Sequence, residues 1–273
     1  MELLYIVLFG LALGSFTNAL VWRVYKQRSI KSAKKRVQFS ISKGRSMCPE
    51  CEHVLSAKDL IPVFSWLFLK GKCRYCKVPI SVQYPAVELL FTAALTASYL
   101  YWPYTQENVV TLVFVVVWAI ILVLLFAMSI YDIRWQLLPN RLMYPFAAIS
   151  VAFILLIAIA QQDYSSILSS VIGATLLGGV FWSIYQISDG KWIGGGDVRL
   201  VTVMGILLGW QKGLLALVLA SYLAVFVVFI IFLLGKYKKK MRIAFGPFLI
   251  LGTYIVFLFG EQFIDLYKTL SGL

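Results

Sequence analysis

Residues 108–132 read NVVTLVFVVVWAIILVLLFAMSIYD, and the fold class follows from them. The stretch 108–131 passes without Asp, Glu, Lys or Arg until Asp132 closes it. At about 1.5 Å per helical residue, such a run covers the roughly 30 Å of hydrocarbon in a bilayer. Outward from it lie further charge-free runs at 3–22, 89–106, 142–162, 164–188, 213–235 and 243–260, which makes seven predicted spans. Composition agrees. The 273 residues are 61% hydrophobic and 14% charged, with a mean hydropathy of +0.85, which excludes an ordinary soluble domain.

An eighth span has to come from the short stretch between Arg199 and Lys212, which must start near Gly196 to cross. Basic residues decide that it crosses. Of the 25 Lys and Arg, 14 fall between Arg23 and Lys77, and five more are Lys236, Lys238, Lys239, Lys240 and Arg242. Cytoplasmic loops attract such clusters. With eight helices and both termini outside, the loops 23–84, 132–141, 188–197 and 236–242 share the cytoplasmic face. The first helix resembles a signal peptide, but Glu2 stands where a basic start would be and basic residues follow, so it reads as a retained anchor. The net charge of +13 reflects this topology and attraction to anionic lipid, with no nucleic-acid motif beside it.

The expected fold is therefore an all-α polytopic membrane protein of about eight transmembrane helices with a cytoplasmic zinc-knuckle loop. Its divisions are 1–22, a first helix; 23–84, a basic loop; and 85–273, a seven-helix membrane domain. Within the first helix, Gly10, Gly14, Ser15 and Ala19 suit close packing of another helix. Residues 23–46 are basic and offer nothing to build a core. No internal repeat is evident.

All four cysteines lie in that loop, as Cys48-Pro49-Glu50-Cys51 and Cys73-Arg74-Tyr75-Cys76. Two residues between thiolates let a tight turn aim both sulfurs at one metal, and two such turns complete a closed, structural four-thiolate zinc site. A reducing cytoplasm argues against disulfides, and the surroundings argue against a redox pair. The single histidine, His53, reads as an exposed loop residue rather than a ligand.

Twelve acidic residues are few enough to inspect individually. Eight belong to outer loops, chain ends or the cysteine loop, leaving Glu88, Asp132, Asp189 and Asp197 at the cytoplasmic membrane boundary. Asp132 ends an apolar run and Asp197 opens the short span, behind Gly194, Gly195 and Gly196. Ionisable groups at this depth point to function. Glycines beside a carboxylate permit close backbone approach or unusual dihedrals, useful for an extended peptide substrate. Two adjacent carboxylates can share a proton, one activating water and the other donating to a scissile carbonyl.

Together these residues resemble the bacterial type IV prepilin leader peptidases, membrane aspartyl proteases with a G-x-G-D motif. The likeness runs through Gly14-Ser15-Phe16-Thr17-Asn18, the cysteine knuckles, residues 83–90, Asp132 through Leu142, Gly194-Gly195-Gly196-Asp197 and Phe245-Gly246-Pro247-Phe248. It implies cleavage of a short basic leader from prepilins or pseudopilins at the cytoplasmic face of a bacterial cytoplasmic membrane. Asp132 and Asp197 are then catalytic, and Gly194 and Gly196 fill the motif's glycine places. It also implies a second activity of many members, N-methylation of the new terminus with S-adenosylmethionine, for which Glu88 and the helix-one motif are the places to look. Leu138-Pro139-Asn140 departs from the common Leu-Pro-Asp, which argues against catalysis by the third position. The leader is expected to meet Asp189, Glu50, Glu52 or Asp59.

Rival readings are weaker. Tyr131-Asp132 also matches signal-peptide peptidases and presenilins, but no Pro-Ala-Leu motif occurs. A proton-coupled transporter would place carboxylates in broken helices at the midplane of repeated halves. A noncatalytic pilus-assembly scaffold would leave the aspartates dispensable.

Overall fold

The computed structural model describes residues 2–30, 39–40, 44–103, 109–238, 241 and 243–271. The expected loop contributions of residues 31–38 and 41–43, of Glu107 and of Lys239, Lys240 and Arg242 lie outside the described residues. Long helices dominate: α1 Glu2–Ser29, α2 Phe64–Phe68 (short), α3 Gln83–Leu100, α4 Val109–Trp135, α5 Asn140–Gln161, α6 Ser165–Ile187, α7 Gly195–Leu233 and α8 Gly246–Ser271. Six of them (α1, α4, α5, α6, α7 and α8) are long and apolar enough to cross a membrane, and the chain is a multi-pass membrane protein. By packing it falls into two units, Met1–Leu100 and Tyr101–Leu273.

In the first unit α1 continues past Trp22 to Ser29. Arg23 is buried there and donates to the Gly44 carbonyl, while Trp22 meets the buried ring of Phe39 edge-on at 5.3 Å. The basic stretch therefore does supply core contacts, through an aromatic residue that its charge density masks. Against α1 packs α3. A Cβ on Gly10 would lie 2.9 Å from the Thr92 Cα, and one on Gly14 would lie 2.7 Å from the Glu88 Cα. Only glycine allows backbones this close, as small residues four apart suggest. The Asn18 amide donates to the Tyr84 carbonyl, which fixes the register of the two helices.

The second unit is built around an aromatic core. Trp118 of α4 stacks on Phe257 of α8 at 3.5 Å between ring centres, with Phe114 and Phe153 completing the cluster. The short eighth span emerges at Gly209, whose φ of 75° and ψ of −179° break α7 into arms 195–208 and 210–233. That backbone region is essentially reserved for glycine. A Cβ on Gly213 would sit 3.7 Å from the Gly205 Cα, whereas eight residues of straight helix span about 12 Å, so the chain folds back on itself at Gly209. Glycines line the contact with α6: a Cβ on Gly173 or Gly205 would meet the other's carbonyl oxygen at 2.5 or 2.4 Å. Counting the two arms and α3, eight long helices stand among the described residues, the number expected.

Candidate active site and metal centre

Asp132 lies in the last turn of α4 and is buried. The helix stops just after it, with the Gln136 N–H donating to the Asp132 carbonyl at 2.8 Å and Gln136 itself at φ 51°. Its carboxylate Oδ2 accepts the backbone N–H of Gly246 at 3.1 Å. Gly246 opens α8, so the carboxylate sits at the positive end of a helix dipole. A Cβ at this position would come within 2.6 Å of the same oxygen. Glycine is required here for approach.

Asp197 occupies the first turn of α7, behind the N-cap Gly194, whose carbonyl accepts the Asp197 N–H at 3.0 Å. It is half-buried and close enough to Asp132 for their charges to act on each other. None of Gly194, Gly195 and Gly196 has a positive φ, so unusual dihedrals are not their purpose. Close approach is. A Cβ on Gly196 would press on the Leu138 side chain at 3.1 Å, and one on Gly194 would lie 3.3 Å from an Asp197 carboxylate oxygen.

Two further residues tie the aspartate-bearing segments together. Arg199, two residues beyond Asp197, donates from Nε to the Gly195 carbonyl at 2.9 Å and from Nη1 to Oδ1 of Asn140. Asn140 begins α5, so this strut joins the loop after Asp132 to the first turn holding Asp197. Sequence reasoning passed over Arg199 and gave Asn140 no role, since nothing local marks a pair 59 residues apart. Asp189 is fully out in solvent, 3.8 Å from Lys191.

In the first unit, the cysteines of both knuckles converge. One ligand atom from each of Cys48, Cys51, Cys73 and Cys76 lies within 4.8 Å of the others, with the Cys48 and Cys76 sulfurs 3.9 Å apart. Tetrahedral coordination with metal–sulfur bonds of about 2.3 Å implies sulfurs about 3.8 Å apart, so the four thiols are positioned to bind a metal ion. The two knuckles are copies in backbone terms. Cys48 N–H donates to the carbonyl of His53 and Cys73 N–H to that of Val78, each five residues on; Glu52 and Lys77 return N–H bonds to the first cysteine of each turn. Both Glu52 and Lys77 adopt positive φ, at 53° and 60°. This repeat is invisible in the side chains, which share little beyond the cysteines. Burial works against the charged form of Cys73, but N–H groups of Cys76 and Tyr75 outweigh it and hold the thiol at about 7. Burial pushes the Cys48 thiol up. His53 is exposed and stacks on Tyr75 at 3.7 Å, apart from the metal cluster.

Asp59, expected among the groups that meet a leader, is instead committed to the second knuckle. It accepts from Arg74 at 2.7 Å, Ser56 at 2.8 Å and Tyr75 at 3.2 Å, and its side chain is 3% exposed. Burial would raise its pKa, but Arg74 and Ser56 outweigh that and hold the carboxyl at about 2. Glu88 is buried at the α1–α3 contact and accepts the Val63 N–H at 2.6 Å.

Fold and site thus define a multi-pass helical membrane protein with an aspartate pair where one helix ends and two others begin, and a four-thiol knuckle in a separate unit. Residues 8–102 match the bacterial peptidase A24 N-terminal domain, and residues 119–231 match the type IV leader peptidase family. Proteins described as prepilin leader peptidase/N-methyltransferase are similar along nearly the whole chain. One from Bacillus subtilis is 30% identical, covering 95% of each chain; one from Dichelobacter nodosus is 30% identical over 96% of this chain and 93% of its own. That from Aeromonas hydrophila is 28% identical over 97% and 93%. No solved structure matches. The chain belongs to the type IV leader peptidase family.

Proposed function

We propose that the chain is an intramembrane aspartyl endopeptidase that removes the short basic leader from type IV prepilins or pseudopilins, with Asp132 and Asp197 as its catalytic pair. The observation that carries this reading is the pair itself: two carboxylates whose charges interact, one of them fixed by the Gly246 N–H. Because Gly246 holds Oδ2 of Asp132, the other oxygen of that carboxylate is the one left to act on water. In the reaction one aspartate takes a proton from the attacking water while the other, protonated, donates to the scissile carbonyl and then assists the departing amine. Gly194, Gly195 and Gly196 flank the pair without side chains, and an extended substrate segment lies along them. Leu138 and the Asn140–Arg199 strut hold the two loops in register behind the reacting groups.

Cleavage takes place at the cytoplasmic face of the bacterial cytoplasmic membrane, with both termini outside and the divisions 1–22, 23–84 and 85–273 acting as anchor, cytoplasmic loop and catalytic domain. The knuckle metal is Zn²⁺. Its four protein thiolates leave no open position, which makes it structural, holding a loop too small to fold by itself. The relatives' name supports a second activity, methylation of the new N-terminus with S-adenosylmethionine as donor. Transport and scaffold roles lack such support.

The test is incubation of the purified protein in lipid nanodiscs with a prepilin-like substrate, with the products identified by mass. Cleavage at the junction of leader and hydrophobic helix by wild type, but not by Asp197→Asn of equal folded yield, is expected. Undiminished cleavage by the variant would overturn the reading.

A further inference from the structure

Between the two knuckles the chain turns apolar side chains outward where a polar loop would bury or omit them. The segment runs from the 3-10 turn Ala57–Leu60 through α2. Its inner side is anchored: the Trp66 indole donates to the Ile80 carbonyl at 3.0 Å, and its ring lies 3.0 Å from where a Cβ on Gly71 would stand. Its outer side is bare. Phe64 is 52% exposed, Leu67 56% and Phe68 80%, with Ile61 exposed beside them. Positions 61, 64 and 68 follow the i, i+3, i+7 spacing of one helical face, and Trp66 points to the opposite one.

The position of this face relative to α3 is held firmly. Val63 sits at φ 62° and ψ −52°, and the Phe64 N–H closes a three-residue turn onto the Pro62 carbonyl at 2.6 Å. A β-branched residue rarely accepts such a γ-turn, which persists only where surroundings impose it. Here the surroundings are Glu88, whose buried carboxylate takes the Val63 N–H. Glu88 lies five residues into α3, about 7.5 Å along its axis, and is followed by the exposed Leu89 and Leu90. The protruding face is thus fastened to the first turns of a long apolar helix, at the depth where headgroups give way to acyl chains. Around it stand the exposed cations Lys58, Lys70, Lys72 and Lys77.

We propose that Ile61, Phe64, Leu67 and Phe68 form an interfacial anchor that inserts into the surface of an anionic bilayer. Apolar side chains reaching the acyl boundary beneath a ring of lysines are the chemistry of helices that lie in the membrane surface. The anchor explains why a strained turn is maintained so far from the aspartates: it sets the depth of the metal knuckle at the membrane. A peptide partner would need polar complements along this face, and the groups around it are cations suited to lipid phosphates.

The experiment places the photoreactive residue p-benzoylphenylalanine at Phe64, Leu67 or Phe68 of the full-length protein in nanodiscs of phosphatidylglycerol and phosphatidylcholine. Lys58 serves as the aqueous control and Leu90 as the lipid-facing one. Lipid adducts at all three test positions, on the order of tenfold above Lys58 and comparable with Leu90, are expected. Adducts no more frequent than at Lys58 would overturn the proposal by placing the face in water. Crosslinks to an added prepilin in place of lipid would overturn it as well, and would assign the face to substrate.

Discussion

Gly246 meets Asp132 so closely that its backbone N–H donates to the carboxylate at 3.1 Å while leaving no room for a Cβ. The contact crosses 114 residues of chain and joins the end of one helix to the start of another. Gly246→Ala should therefore displace the Asp132 carboxylate while α8, whose next residue Pro247 suits a first turn, still forms. Misplacement of about 1 Å at a reacting group costs on the order of 100-fold, so kcat should fall by about that factor with KM little changed and folded yield near that of wild type. Steady-state cleavage kinetics check this.

Asn140 and Arg199 act as one strut, so their losses should not add. Asn140→Ala and Arg199→Ala should each lower kcat by roughly tenfold, and the double variant should be no worse than either single one. Asn140→Asp keeps an acceptor for the guanidinium and should retain most activity. Fully additive losses in the four-member cycle would separate the two residues.

The fold-back at Gly209 depends on a backbone region closed to other residues, and a Cβ there would also lie 2.3 Å from Ser169 Oγ. Gly209→Ala should cost about 1–3 kcal/mol in backbone strain alone and sharply reduce folded yield in membranes. Size-exclusion recovery from mild detergent provides the readout.

In the knuckle, Cys48→Ser should lower folded yield and bound metal more than it lowers cleavage per folded molecule. Equal yield with activity lost would contradict a structural metal. Acid has a separate signature. Asp59 is held at about 2, against an unfolded carboxyl near 3.9, so its contribution is complete above that unfolded value and is lost as pH falls toward about 2. The stability gap between wild type and Asp59→Asn should be constant above about pH 4 and close below it, whereas metal release should come earlier, as protons take the thiolates. Acid titrations with tryptophan fluorescence and metal release followed together distinguish the two.

The aspartates were legible because this chain holds so few charges that a carboxylate at a span boundary stands out. The break at Gly209 was legible indirectly, as a span too short to belong to a continuous helix. What supports the aspartates was not. Gly246 contributes a backbone N–H, which leaves no trace in side-chain chemistry, and Arg199 finds Asn140 only once α5 and α7 have packed. The triple glycine was read for dihedral freedom as well as for space, and space proved to be its use. Likewise the duplicated knuckle is written in backbone bonds and positive φ angles at Glu52 and Lys77, two residues of opposite charge that no sequence pattern would pair.

The central claim is that Asp132 and Asp197 work as a single catalytic unit. Its most direct measurement compares prepilin cleavage by wild type, Asp132→Asn, Asp197→Asn and the double variant at equal folded concentration. Residues acting as a unit show losses that do not multiply, so each single variant should fall to the background rate and the double should fall no further. Near-normal cleavage by either single variant, or a double variant that multiplies two partial losses, would contradict it.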